Sequence, residues 1–145
     1  GDFTVELFAD KAPITVGNFK KLADKKFYDG TIFHRIIKDF MIQGGDPEGT
    51  GFGGSDEMIP HEFAPGLTFA EPGILAMANA GPNTGSSQFF ITVVPTPWLQ
   101  NHHSIFGKVV ENYDVVEKIS RVKTSGADRP VQDVVLESVV ITDSL

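Results

Sequence analysis

Hydrophobic and polar positions along this chain alternate mostly with a period of two, and take on a helical period in two places. Phe3, Val5 and Leu7 alternate with Thr4, Glu6 and Phe8, which predicts a strand with one strongly packed face. From Pro13 the repeat changes. Val16, Phe19, Leu22 and Ala23 recur at helical spacing, and a proline in the first turn gives up an N–H that would have no intrahelical partner. A helix from about Pro13 to Lys25 is expected, closed by the Asp29-Gly30 turn. Gly17 inside it costs about 1 kcal/mol against alanine, so a close packing neighbour is expected there.

Next comes an apolar hairpin, with arms Thr31 to Ile37 and Phe40 to Gln43 joined through Lys38-Asp39. An arginine set among Phe33, Ile36, Ile37, Phe40, Met41 and Ile42 needs a short route to solvent or a role. A two-residue loop would put Arg35 opposite Ile42 and separate Arg35 from Gln43 on different faces. One extra residue in the loop would bring Arg35, Met41 and Gln43 onto one face. The pattern leaves both arrangements open.

Gly44 to Gly54 is glycine-rich, and Gly49, Gly51 and Gly54 satisfy G-x-G-x-x-G. The dinucleotide fingerprint requires a helix to follow, whereas this run leads to Ser55, Asp56 and Pro60 without helical periodicity, so it reads as a folded surface loop. Such a loop can still border a groove. Short strands are expected at Leu67 to Phe69, Ile74 to Ala78, Gln88 to Val93 and Ile105 to Val110. In the third, Gln88, Phe90 and Thr92 face one way and Phe89, Ile91 and Val93 the other, which predicts packing on both sides. A second helix is expected from about Tyr113 to Val122, with Asn112 as N-cap, Asp114 in the first turn and an inward stripe of Val115, Val116, Ile119 and Val122. Val134 to Ile141 reads as a closing strand. The strands between Phe63 and Val110 leave no room for crossover helices. Pattern alone therefore points to an antiparallel barrel or strongly curled sheet with helices over its open ends.

Composition narrows the function. At 145 residues and 41% hydrophobic, residues 1–145 have the size of a single ordinary domain. Twelve Lys+Arg against 19 Asp+Glu give a net charge of −7, which argues against nucleic acid as a partner. No run approaches the roughly 20 apolar residues of a membrane span. The absence of cysteine suits a reducing compartment, and a cytoplasmic setting is expected, although a chain that starts in GDFTVELF leaves an upstream targeting segment open. His61-Glu62-Phe63 is not H-E-x-x-H, and the consecutive His102 and His103 would diverge, so no zinc site is expected. His34 reads as a packed or hydrogen-bonded structural residue.

FHRIIKDFMIQGGD, GILAMANAGPNTGSSQFFIT and the combination of WL with HHSIFGKV closely resemble cyclophilins, the cyclosporin-sensitive peptidyl-prolyl cis/trans isomerases. With ELFADKAPITVGNF the resemblance extends over nearly all of the chain. It implies a mainly β fold: a closed eight-stranded antiparallel barrel capped by two α-helices, with the substrate groove outside. It implies Arg35 as the catalytic residue and Phe40, Met41, Gln43, Gln88 and Phe90 as groove residues. Ala78, Asn79 and Ala80 match a peptide-binding edge, Thr50 and Gly51 the outer rim, and Trp98 and Leu99 the far wall, the tryptophan being associated with cyclosporin A. His103 matches a polar wall. Implied partners are proline-containing peptides and protein clients; a monomer without metal or cofactor is expected. Two departures stand out. The loop from Pro47 to Phe69 looks shorter than in common eukaryotic forms, and family members carry about one more strand ahead of the segment equivalent to GDFTVELF. The rival from another class is a non-catalytic proline-peptide-binding or chaperone module using the same groove.

Overall fold

The computed structural model describes residues 1–142. In chain order its elements are β1 (Thr4–Leu7), α1 (Pro13–Asp24), β2 (Thr31–Ile32), β3 (Arg35–Ile37), β4 (Met41–Gly44), β5 (Ile74–Met77), β6 (Phe89–Thr92), β7 (Ile105–Glu111), α2 (Tyr113–Ser120) and β8 (Val135–Leu136). Six strands form one antiparallel sheet in the order β1-β7-β5-β6-β4-β3, and β2 pairs with β8 in a separate two-stranded ladder. The expected closed eight-stranded barrel is thus met in part: among the described residues no ladder joins the two sheets.

Period-two alternation makes the large sheet two-faced. Ile36, Ile42, Leu75, Met77, Phe89 and Ile91 point into the main core. There they meet the α1 stripe of Val16, Phe19, Leu22 and Ala23, together with Tyr28, Phe106 and Val116 of α2. The intervening positions Met41, Ile74, Ala76 and Phe90 build a second cluster on the opposite face, with Phe69 and Ile105. Both faces of β6 are therefore packed, as its alternation predicts.

Several expected elements are shorter or absent, and in two of them backbone groups find other partners. Leu67 to Phe69 is not a strand: the Gln100 side chain accepts from the Phe69 N–H (3.3 Å) and donates to the Leu67 carbonyl (3.0 Å), replacing a ladder. The first hairpin arm breaks at Phe33 and His34, and the Phe33 N–H turns to the Val134 carbonyl at 3.0 Å. Of the closing strand only Val135–Leu136 pairs. Asn112 does precede α2, but in a left-handed conformation (φ 58°), and its side chain donates to the Asp2 carbonyl instead of serving as a cap. Gly17 is exposed, with open space where a Cβ would stand, so no close neighbour explains it.

Candidate functional site

The hairpin loop between β3 and β4 holds three residues, Lys38 to Phe40, because Ile37 pairs with Met41, Ile36 with Ile42 and Arg35 with Gln43. Asp39 adopts a left-handed conformation (φ 61°) to make the turn. The extra residue selects the second of the two arrangements open in the sequence. Arg35, Met41 and Gln43 share the face that carries Phe90, which pairs with Gln43 across β4 and β6.

On this face lies a cleft of about 120 Å³ lined by Arg35, Phe40, Met41, Gln43, Ala78, Asn79, Phe90, Leu99 and His103. That is well below the roughly 300–1,000 Å³ of ordinary small-molecule sites, and gives room for one small side chain. Met41 and Phe90 form its buried floor, 2% and 4% exposed, whereas Arg35 is exposed at the edge strand. The arginine thus has its route to solvent and still borders an apolar hollow.

Polar groups on one side of the cleft form a chain. Arg35 Nη1 donates to Gln43 Oε1 at 3.3 Å, Gln43 Nε2 donates to Gln88 Oε1 at 2.9 Å, and Gln88 Nε2 donates to the carbonyls of Gly51 (3.0 Å) and Gly53 (2.8 Å). Gln88 therefore links the arginine to the glycine-rich loop and does not itself line the hollow. Thr50 and Gly51 belong to that loop. Ala80 also stands outside the cleft, its N–H bonded to Thr84 Oγ1 at 2.8 Å. Trp98 does not line the hollow; it is 61% exposed, with its ring 6.0 Å from that of Phe40.

His103 closes the other side. Its Nδ1 lies 3.2 Å from Asn79 Nδ2 and 2.9 Å from the Met77 carbonyl, which accepts from it when that nitrogen carries the hydrogen. Burial outweighs that bond and holds the imidazole below its ordinary value of 6.5, with His102 and His61 adding to the effect. It is a neutral wall at neutral pH. His34 is buried against Gly51 with both ring nitrogens unpaired among the described residues; burial first, and then Arg129 and Arg35, lower its pKa against an opposing pull from Asp46. It is packed, as expected, but not hydrogen-bonded.

Two residues that matter to the site's shape were not singled out from the sequence. Asp46, 1% exposed, accepts from the backbone N–H groups of Glu48 (2.8 Å), Thr50 (3.0 Å), Gly51 (2.6 Å) and Gly53 (3.2 Å). Burial pushes this carboxyl up, but the four bonds together prevail and its pKa lies below the ordinary value. The N–H groups that a G-x-G-x-x-G loop would offer a phosphate are already occupied by the chain's own carboxylate. The available signal was a carboxylate set inside a glycine run, just after Gly44-Gly45. Glu62 likewise accepts from Ile14 N–H (3.1 Å) and from Thr15 N–H (2.6 Å) and Oγ1 (2.7 Å), capping α1 from 47 residues away.

Comparison with known proteins bears on this arrangement. A family model described as cyclophilin type peptidyl-prolyl cis-trans isomerase/CLD matches residues 1–141. Peptidyl-prolyl cis-trans isomerase-like 1 of Neurospora crassa is 55% identical over 137 residues, 92% of this chain and 84% of that protein. The human protein of the same name is 52% identical over 137 residues, 92% and 82% of the two chains. A crystal structure of a Cryptosporidium parvum cyclophilin type peptidyl-prolyl cis-trans isomerase, in the presence of the dipeptide Ala-Pro, superposes with a TM-score of 0.95 at 37% identity, covering 99% of this chain and 94% of that one.

Proposed function

The chain belongs to the cyclophilin-type peptidyl-prolyl cis-trans isomerases, and from that premise we propose that it isomerises X-Pro bonds in proteins, assisting their folding, with Arg35 as the catalytic residue. The observation that carries the reading is the juxtaposition of the Arg35 guanidinium with a hollow the size of one small side chain, on a single sheet face.

An X-Pro amide isomerises over tens to hundreds of seconds because twisting it breaks the resonance between the nitrogen lone pair and the carbonyl. As the bond twists, the nitrogen becomes pyramidal and gains a lone pair able to accept a hydrogen bond. Arg35 donates that bond. The interaction is available chiefly in the transition state, so it lowers the barrier without tightening the ground state. Phe40, Met41, Phe90 and Leu99 hold the proline ring while the acyl side turns, and Gln43 holds Arg35 in register. The edge at Ala78 and Asn79 receives the extended peptide backbone. Shortening a relaxation of about 100 seconds to about a millisecond requires roughly 7 kcal/mol, which a charge-assisted bond, an apolar pocket and partial desolvation can share.

The same reading takes cyclosporin A as a ligand of this groove, with exposed Trp98 as its wall. It also takes the two ladders as parts of one closed wall. In support, β2 runs directly toward β3, and Phe33, Val134 and Leu136 pack on the same core as the large sheet.

Magnetisation-exchange or protease-coupled measurement on an X-Pro peptide tests the activity. Arg35→Lys keeps the charge but loses the rigid fork of donors, and Arg35→Ala loses both, so kcat/KM is expected to fall by about 100-fold or more in each, with circular dichroism unchanged. Undiminished turnover in Arg35→Ala would refute the mechanism. Equal exchange rates with and without the wild-type protein would leave only the binding-module reading.

A further inference from the structure

Phe52 is 95% exposed, the largest exposure among the large hydrophobic residues of the described chain. Its place in the loop is nevertheless closely determined. Asp46 Oδ2 accepts from the N–H groups of Gly51 and Gly53, while Gln88 Nε2 donates to the carbonyls of the same two glycines. The Phe52 N–H itself donates to Thr50 Oγ1 at 3.1 Å. Both neighbours of the aromatic residue are thus tied at donor and acceptor alike. Glycine is demanded at each: Gly51 has φ +95°, and a Cβ on Gly53 would collide with the Asp46 carboxylate. A looser loop would let a benzyl group fold back onto apolar surface and leave water. This one holds it out, and the side chain that helps to hold it, Gln88, is two hydrogen bonds from Arg35.

We propose that Phe52 is a specificity-determining residue, an ordered aromatic contact for a bulky apolar side chain of the substrate peptide that flanks the proline on the Gln88 side of the cleft. An aromatic ring on a fixed backbone offers apolar area at low entropic cost, which suits recognition of a mobile peptide. The proposal rests on the peptide-binding groove above, but only on peptides binding there and not on their turnover.

The test uses the whole chain and proline peptides in which each position beside the Ala-Pro unit is changed in turn from alanine to leucine, phenylalanine and glutamate. Dissociation constants come from NMR titration and exchange rates from the same samples. At one flanking position wild type is expected to bind the leucine and phenylalanine peptides about fivefold more tightly than the alanine peptide, the scale of a half-covered apolar side chain. In Phe52→Ala that ratio falls to within about twofold, and Phe52→Leu retains most of it. Flat affinities in wild type, or a ratio that survives in Phe52→Ala, would overturn the proposal. Peptides that bind with the expected ratio but show no catalysed exchange would support it while removing the isomerase reading.

Discussion

Single side chains at this site act mostly on backbone. Asp46 gathers four N–H groups that the glycine-rich loop would otherwise leave to solvent or bury unpaired. Removing an acceptor from buried donors costs about 1–3 kcal/mol per group left unsatisfied, with the solvent-facing ones costing less. Asp46→Ala should therefore lower stability by about 2 kcal/mol or more, read as a reduced urea midpoint. It should also release Gln88 from its register with the loop and slow isomerisation. A midpoint within error of wild type would show that water replaces the carboxylate freely. Arg35 was legible in the sequence because a guanidinium in an apolar hairpin is anomalous. Asp46 was not, because the glycine run marks a turn without fixing which of its N–H groups the carboxylate collects.

At the scale of elements, α1 shows where local signals stop. Pro13 and the stripe from Val16 to Ala23 announce the helix, and its observed bounds differ from the expectation by one residue. Its N-cap position, however, is Ala12, which has no side-chain acceptor, and the free N–H groups of Ile14 and Thr15 go to Glu62 from a distant loop. Loss of such a cap costs typically about 1 kcal/mol and up to about 2. Glu62→Ala is expected to show that loss in urea unfolding with an unchanged m-value, while Glu62→Gln, which keeps one oxygen acceptor, recovers part of it. Equal stability of all three proteins would remove Glu62 as a cap. The β3–β4 hairpin was legible to within two registers, and a single loop residue decides between them.

Across the whole molecule, the two buried histidines and Asp46 tilt stability the same way as pH falls. His34 and His103 are held below 6.5 chiefly by burial. Above 6.5 both rings are neutral in the folded and unfolded chain, and their contribution is complete. As pH falls below 6.5 the unfolded chain takes up protons first, and stability drops until the folded rings are protonated too. Asp46 adds a second loss at lower pH: its contribution is present above 3.8 and disappears as pH falls through its depressed folded value. The urea midpoint should be level from about pH 8 to 7 and decline from about 6.5 to 5. A constant midpoint across the latter range would contradict the burial of the two rings. Turnover should be level from about pH 8 to 7, since His103 is already neutral there.

By itself the sequence determined which segments are apolar on alternate positions, where the helices lie, that an arginine and a glutamine sit within one hairpin, and the family to be expected from its motifs. These follow from periodicities of two and 3.6 residues and from strings that can be read without knowing what they touch. Tertiary structure alone decided the three-residue loop that sets Arg35 beside Gln43, the collapse of Leu67 to Phe69 onto Gln100, the cap supplied by Glu62 and the collection of loop donors by Asp46 and Gln88. Most of these join a hydrogen-bonding group to a partner whose identity depends on which chain segment arrives beside it, and Asp46 depends on how its own loop is folded; both are settled by packing rather than by any residue's own preference.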